Sequence, residues 1–289
     1  MSVQNRLSGP LALTTAAMVA FAANSVLCRL ALGPELVDPY SFTAIRLGSG
    51  ALTLVALTAI RKRPKERRAG GWPAAGYLLL YALPFSLAYV RLDTGTGALL
   101  LFGAVQLTMI GHGLRSGERP GRLEWIGLLG AAGGVVYLVS PGVTAPDPVG
   151  AAFMVAAGIG WGLYSVAGKA AGDPAARTAA SFRRAAWVLV PATLLGSPWL
   201  SLSTDGVLLA LASGCLASGL GYVVWYAALA HLSSTRAALV QLSVPVLAAA
   251  GGVLLVSEQI TLRLAIASAV ILGAIALGTA RRGHKPASR

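Results

Sequence analysis

The chain has 289 residues, of which 56% are hydrophobic and only 11% carry a formal charge. Soluble globular proteins carry about a quarter charged residues, so this balance excludes a soluble enzyme, a nucleic-acid binder and a disordered chain. Net charge is +13, from 23 Lys and Arg against 10 Asp and Glu, and where those charges fall decides what they mean.

A membrane-crossing helix needs about 20 apolar residues. Breaking the apolar runs at charges, prolines and glycines predicts ten helices, at 9–31, 39–60, 72–91, 95–114, 122–140, 147–170, 177–196, 204–230, 234–256 and 261–280. The runs lack the two-residue alternation of a membrane β-barrel, so the fold class is all-α and polytopic. Cys28 and Cys215 lie within apolar spans, without metal-ligand spacing, and read as structural. Residues 1–23, with Ala20-Phe21-Ala22, also fit a cleavable signal peptide; the repeat described below favours retention as span 1.

Basic residues mark the cytoplasmic side of a membrane protein. They crowd the connections after spans 2, 4, 6 and 8 and the C-terminal tail, as in Arg61, Lys62, Arg63, Lys65, Arg67 and Arg68 after span 2. The alternate connections hold Glu35, Asp38, Asp93, Asp147, Asp205 and Glu258. Both termini are therefore expected in the cytoplasm, and the partners of the positive charge are anionic lipid headgroups rather than nucleic acid.

The sequence matches itself at an offset of 140 residues: Ser25-Val26 falls on Ser165-Val166, Pro34 on Pro174, Ser41-Phe42 on Ser181-Phe182 and Glu118 on Glu258. Residues 1–140 and 141–289 thus read as two five-helix repeats. Five is odd, so the second half crosses the membrane in the opposite sense. Inverted repeats of this kind characterise transporters that alternate around a midplane site.

Ten spans in two halves, Arg46 and Arg184 early in the second span of each, and the pairs Gly117-Glu118 and Ser257-Glu258 resemble the EamA group of the drug/metabolite transporter superfamily, with YddG-type amino-acid exporters as the most similar branch. The resemblance implies a multi-pass carrier of the inner membrane with a central cavity lined mainly by spans 1, 3, 4, 6, 8 and 9. It does not supply the substrate.

Polar and aromatic residues within spans are the candidates for that lining. Tyr77, Tyr81, Phe85 and Tyr89 recur every four residues on one face of span 3. Tyr77 and Tyr89 suit an interfacial belt, and Tyr81 either faces the cavity or packs. Trp161 and Tyr164 sit beside the glycines of span 6. In span 8 the run Ser218-Gly219-Leu220-Gly221-Tyr222 offers Tyr222 to the lining, while Gly219 and Gly221 read either as a hinge or as close packing. Trp225 and Tyr226 suit the interface. Asn24, Gln106 and Gln241 are amides inside apolar runs, either interhelical bonds or substrate contacts. Pro245 removes a backbone donor from span 9 and suits a kink or gate.

The charges Arg46, Arg184, Glu118 and Glu258 read as structural, with Arg46 expected to snorkel outward or to meet Asp38. No Asp or Glu lies near the middle of any span. An uncharged passage for neutral or zwitterionic solutes follows, and proton-coupled drug export through a buried acid is disfavoured. No Walker-type phosphate loop and no cofactor signature is present. The expected activity is export of amino acids or similar small metabolites. The alternatives are export of drugs or other organic solutes, and a membrane-embedded enzyme on lipid substrates, which lacks the constellation it would need. A monomer is compatible with the sequence.

Overall fold

The computed structural model describes residues 3–60, 71–117, 121–167, 174–196, 201–229, 231–232 and 240–279. Glu118 lies outside them. The described chain is helical: α1 (Val3–Leu32), α2 (Pro39–Ile60), α3 (Trp72–Tyr89), α4 (Thr94–Arg115), α5 (Arg122–Val139), α6 (Pro148–Ala167) and α7 (Pro174–Gly196). Then come α8 (Thr204–Ala212), a π-helical segment (Ser213–Leu220) and α9 (Gly221–Leu229), continuous along one run, followed by α10 (Ser243–Val256) and α11 (Leu262–Thr279). Among the described residues, six helical runs are long and apolar enough to cross a membrane: Gly9–Leu32, Pro39–Ala59, Thr94–Arg115, Arg122–Val139, Pro148–Ala167 and Thr204–Leu229.

Local chemistry sets the helix ends. Pro39, Pro148 and Pro174 open α2, α6 and α7, where a missing N–H costs nothing. Asp147 Oδ1 accepts from the Gly150 N–H (2.7 Å) and Ser203 Oγ from the Gly206 N–H (3.0 Å), capping α6 and α8. Gly117 (φ +83°) follows α4 and relieves the left-handed turn that ends it. Between α1 and α2, Val37 bridges Leu202, with Asp38 N–H donating to the Ser201 carbonyl (3.1 Å) and Ser203 N–H to the Leu36 carbonyl (2.9 Å).

Two predicted spans differ from the observed elements. The span expected at 204–230 is one run, but its middle turns to π geometry, in which hydrogen bonds run from i to i+5. The span expected at 234–256 has a turn at Leu242 and restarts as α10 at Ser243. Pro245 thus sits in the first turn of α10, where its missing N–H breaks no internal bond.

The helices pack in a recurring pattern. α3 lies on α6 as α1 lies on the α8–α9 run; α4 lies on α6 as α1 lies on α10; α2 meets the π segment as α7 meets α3. α2 with α7, α4 with α10 and α5 with α11 complete the largest of these contacts, which exchanging each helical run for the one five runs later leaves unchanged; smaller contacts, such as α4 with α5, stand outside the pattern. Small residues permit the closest approaches. A Cβ on Gly160 of α6 would stand 2.6 Å from the Tyr81 backbone nitrogen of α3, and one on Gly158 would stand 2.7 Å from the Leu101 carbonyl oxygen of α4. Outward, Leu52, Trp187 and Leu254 are 74–79% exposed. So much bare apolar surface suits lipid rather than water.

Candidate functional site

The site is built outward from α2. At its start Asp38 Oδ1 accepts from the backbone N–H groups of Tyr40 (3.0 Å) and Ser41 (2.9 Å), so this carboxylate is engaged as the N-terminal cap. Two turns on, Arg46 is only 1% exposed. It neither reaches outward nor meets Asp38, contrary to expectation. Its Nη2 donates to the Tyr81 hydroxyl (2.9 Å) and its Nε to the Ser218 hydroxyl (3.0 Å). Its Cζ lies 5.2 Å from the Tyr81 ring centroid and 5.1 Å from that of Phe85. The guanidinium is thus held by neutral oxygens and ring faces. Among the described residues no Asp or Glu forms an ion pair with it, and its Nη1 has no hydrogen-bond partner.

The polar chain continues into α1. Asn24 Nδ2 also donates to the Tyr81 hydroxyl (3.3 Å), and Ser213 Oγ donates to Asn24 Oδ1 (2.6 Å). Ser213 and Ser218, the two ends of this chain, are five residues apart in the π segment. Bonds from i to i+5 bring such residues nearly into line on one face; in an α-helix of 3.6 residues per turn the fifth residue points well away. The π geometry therefore lets one helix serve both Asn24 and Arg46.

Around this chain lies a small hollow, in which the centre of a water-sized sphere can visit about 30 Å³. A water needs about 10–15 Å³ by that measure, so the hollow is narrow. α1 lends Phe21, Asn24 and Ser25, α2 Arg46, α3 Tyr81 and Phe85, and α4 Leu101 and Phe102. The second half lends Trp161 from α6, Ala217 and Ser218 from the π segment, and Tyr222 from α9. Trp161 is the centre of the aromatic wall, with ring centroids 4.9 Å from Tyr81, 5.3 Å from Tyr222 and 5.6 Å from Tyr164. Phe182 of α7 backs Tyr222 at 5.7 Å.

Of the candidates from sequence, Asn24, Tyr81, Trp161 and Tyr222 line the hollow, and Tyr164 stands behind Trp161, 6% exposed. Gln106 is buried in α4, and Gln241 is half-buried before the turn at Leu242; neither lines it. Arg184 is half-buried on α7, also away from it. Gly219 and Gly221 are close-approach points: an added Cβ would stand 3.0 Å from Thr53 and 3.0 Å from Ala20 respectively. Pro245 is buried in α10.

Three expectations need correction. The hollow is not uncharged, because Arg46 lines it; span 2 joins its lining, to which none of the described residues of span 9 contributes. Tyr89 and Trp225, expected at the interface, are 0% and 6% exposed. Tyr89 packs on Phe85 with centroids 4.8 Å apart, and Trp225 on Phe21 at 5.8 Å. Sequence reading also missed Ser213, Ser218 and Phe21 as members of the site. Hydroxyls and a phenyl ring in apolar helices carry no signal until the neighbouring helix is known.

A second polar cluster closes the end of α1 remote from residue 3. Glu258, after α10, meets Arg29 Nε of α1 at 3.3 Å and accepts from Thr94 at the start of α4, through its N–H (3.0 and 2.9 Å) and its hydroxyl (3.0 Å). Arg29 Nη1 also donates to the Tyr89 carbonyl (3.0 Å). Among the described residues no group of three or more His, Cys, Asp or Glu forms a metal cluster.

Comparison with known proteins places this architecture. The EamA-like transporter family matches twice, at residues 9–140 and 148–279. An uncharacterized protein of Pseudomonas aeruginosa is 50% identical over 272 residues, spanning 94% of this chain and 95% of its own. The threonine/homoserine exporter RhtA of Escherichia coli is 29% identical over 241 residues, 78% of this chain and 77% of its own. A solved crystal structure aligns over 94% of this chain and 98% of its own with a TM-score of 0.65 at 23% identity, a likeness of fold. With both halves matched and the apolar helices in place, this multi-pass membrane protein belongs to the EamA-like transporter family.

Proposed function

We propose that the protein is an inner-membrane carrier that exports amino acids or similar small metabolites by alternating access. The observation that carries this reading is the narrow hollow itself. Its polar chain and aromatic wall come from both halves: Asn24, Arg46 and Tyr81 from one, Trp161, Ser218 and Tyr222 from the other. A site between two like halves is what alternation needs, because rocking one half against the other exposes it to each side in turn.

The two family matches begin at residues 9 and 148, 139 positions apart, which supports a repeat of half the chain. Five spans per half, together with largest helix contacts that a five-span exchange leaves unchanged, support halves of opposite sense with ten crossings. The basic connections support cytoplasmic termini. The similarity to an exporter of threonine and homoserine supports small polar metabolites as the solute class. A buried guanidinium in the lining disfavours cationic drugs, which it would repel.

Proteoliposomes containing the purified chain test the reading. Radiolabelled amino acids, threonine first, are expected to equilibrate faster than in protein-free vesicles. No flux of any common amino acid through folded protein would overturn it.

A further inference from the structure

The hollow has a chemical bias beyond its size. A guanidinium stays charged in proteins and only donates hydrogen bonds. Arg46 is 1% exposed, without a carboxylate partner among the described residues, and its Nη1 donors are unused. A buried cation left so is costly unless something arrives to pair with it.

Tyr81 adds a second free donor. Its oxygen accepts from Arg46 Nη2 (2.9 Å) and from Asn24 Nδ2 (3.3 Å). Both neighbours donate, so the hydroxyl's own hydrogen points to neither. Both residues line the hollow, so its wall offers a cation and a hydroxyl to a group that only accepts.

We infer that Arg46 and Tyr81 anchor the carboxylate of the transported solute, and that the solute supplies the counter-charge the protein lacks. This rests on the carrier reading only in taking the hollow as the solute's path. The charge balance sets a ranking. An organic acid neutralises the site, a zwitterionic amino acid leaves one positive charge, and an amine without a carboxylate raises it to two. The ammonium of a zwitterion has no acid to meet in the lining, and rests over the faces of Trp161 and Tyr222.

Three related solutes separate these cases: 3-hydroxybutanoate, threonine and 1-aminopropan-2-ol. The last two differ by a carboxylate, the first two by an amine. Binding is read as thermal stabilisation of the detergent-purified full chain at matched concentrations, because a ligand that binds only the folded state raises its melting temperature. Both carboxylates are expected to stabilise the protein, the organic acid at least as strongly as threonine, and the amine is expected to have no effect. Y81F, which keeps the ring, should weaken carboxylate binding about tenfold, and R46Q should abolish it; a charge-assisted hydrogen bond is worth about that much or more. Should R46Q fail to fold, the wild-type ranking and Y81F carry the test.

Equal stabilisation by the amine, full carboxylate binding in folded R46Q or in Y81F, or no binding of either carboxylate would overturn the anchor. Flux distinguishes this from the carrier reading. Carboxylate binding without transport sinks the carrier and leaves the anchor; transport of the amine undiminished in R46Q does the reverse.

Discussion

Glu258 closes on Thr94 from 164 positions away in sequence, taking both its backbone N–H and its hydroxyl at 2.9–3.0 Å. The same carboxylate meets Arg29 at 3.3 Å, so one side chain ties the ends of α1 and α10 to the start of α4. Arg29 and Glu258 side chains are only 20% and 10% exposed, which keeps solvent from weakening the contact as it does at an open surface.

Glu258→Gln should therefore lower stability by about 1–3 kcal/mol, the cost of stripping charge-assisted bonds from partly buried donors. Unfolding in detergent with rising denaturant measures it. A double-mutant cycle with Arg29→Ala should give a coupling well above zero; an additive result would mean that the ion pair contributes nothing.

Asn24→Leu removes the link between Ser213 and Tyr81 while keeping a similar volume. The Ser213 hydroxyl then loses its buried acceptor and the Tyr81 oxygen loses a donor. Solute exchange should slow about tenfold, as the loss of one buried hydrogen-bond link predicts. Ser213→Ala, which removes only the terminal donor, should slow it less.

Trp161 holds the aromatic wall through Tyr81, Tyr164 and Tyr222. Trp161→Ala should widen the hollow and shift preference toward bulkier solutes, raising the KM for threonine more than it lowers the maximal rate. Competition by larger amino acids in proteoliposomes reads the change. Unaltered preference would make the ring a packing element only.

Deleting Cys215 from the π segment should return it to α geometry, in which Ser213 and Ser218 stand four positions apart and still share one face. Ser218 and Tyr222 should then keep their places beside Arg46 and the hollow. Helix content by circular dichroism and transport should both stay near those of the parent; lost transport in folded protein would show that the wider turn itself is needed.

Gly160→Val puts branched carbon against the Tyr81 backbone, where even a Cβ stands at 2.6 Å. Forcing α6 and α3 apart should cost about 1–3 kcal/mol and depress binding together with stability. A variant as stable as the parent would show that the contact can yield.

Much of the fold is legible in composition and spacing. Apolar runs bounded by Pro39, Pro148 and Pro174 mark helices because proline accepts the first turn and refuses the interior. The site is legible only in part. Tyr81 and Trp161 stand out as rings amid small residues, but whether a ring faces a neighbour or lipid depends on helix rotation, as Tyr89 and Trp225 illustrate by lying buried. Arg46 was expected to reach outward or to meet Asp38, eight positions away on the same stretch of chain. Asp38 serves the helix end instead, and the partners of Arg46 are 35 and 172 positions distant. The π register is invisible for another reason: Ser213–Leu220 has the small, apolar composition of any tightly packed membrane helix, and only its neighbours' demands select the wider turn.

Where α6 passes α3 at Gly160, no side chain stands between the two backbones. The backbones themselves therefore set the spacing of Tyr81 and Trp161, whose ring centroids are 4.9 Å apart although they stem from different halves of the chain. If one half rocks against the other, this bare seam is where they shear, and the Tyr81 oxygen that Arg46 and Asn24 share moves with it.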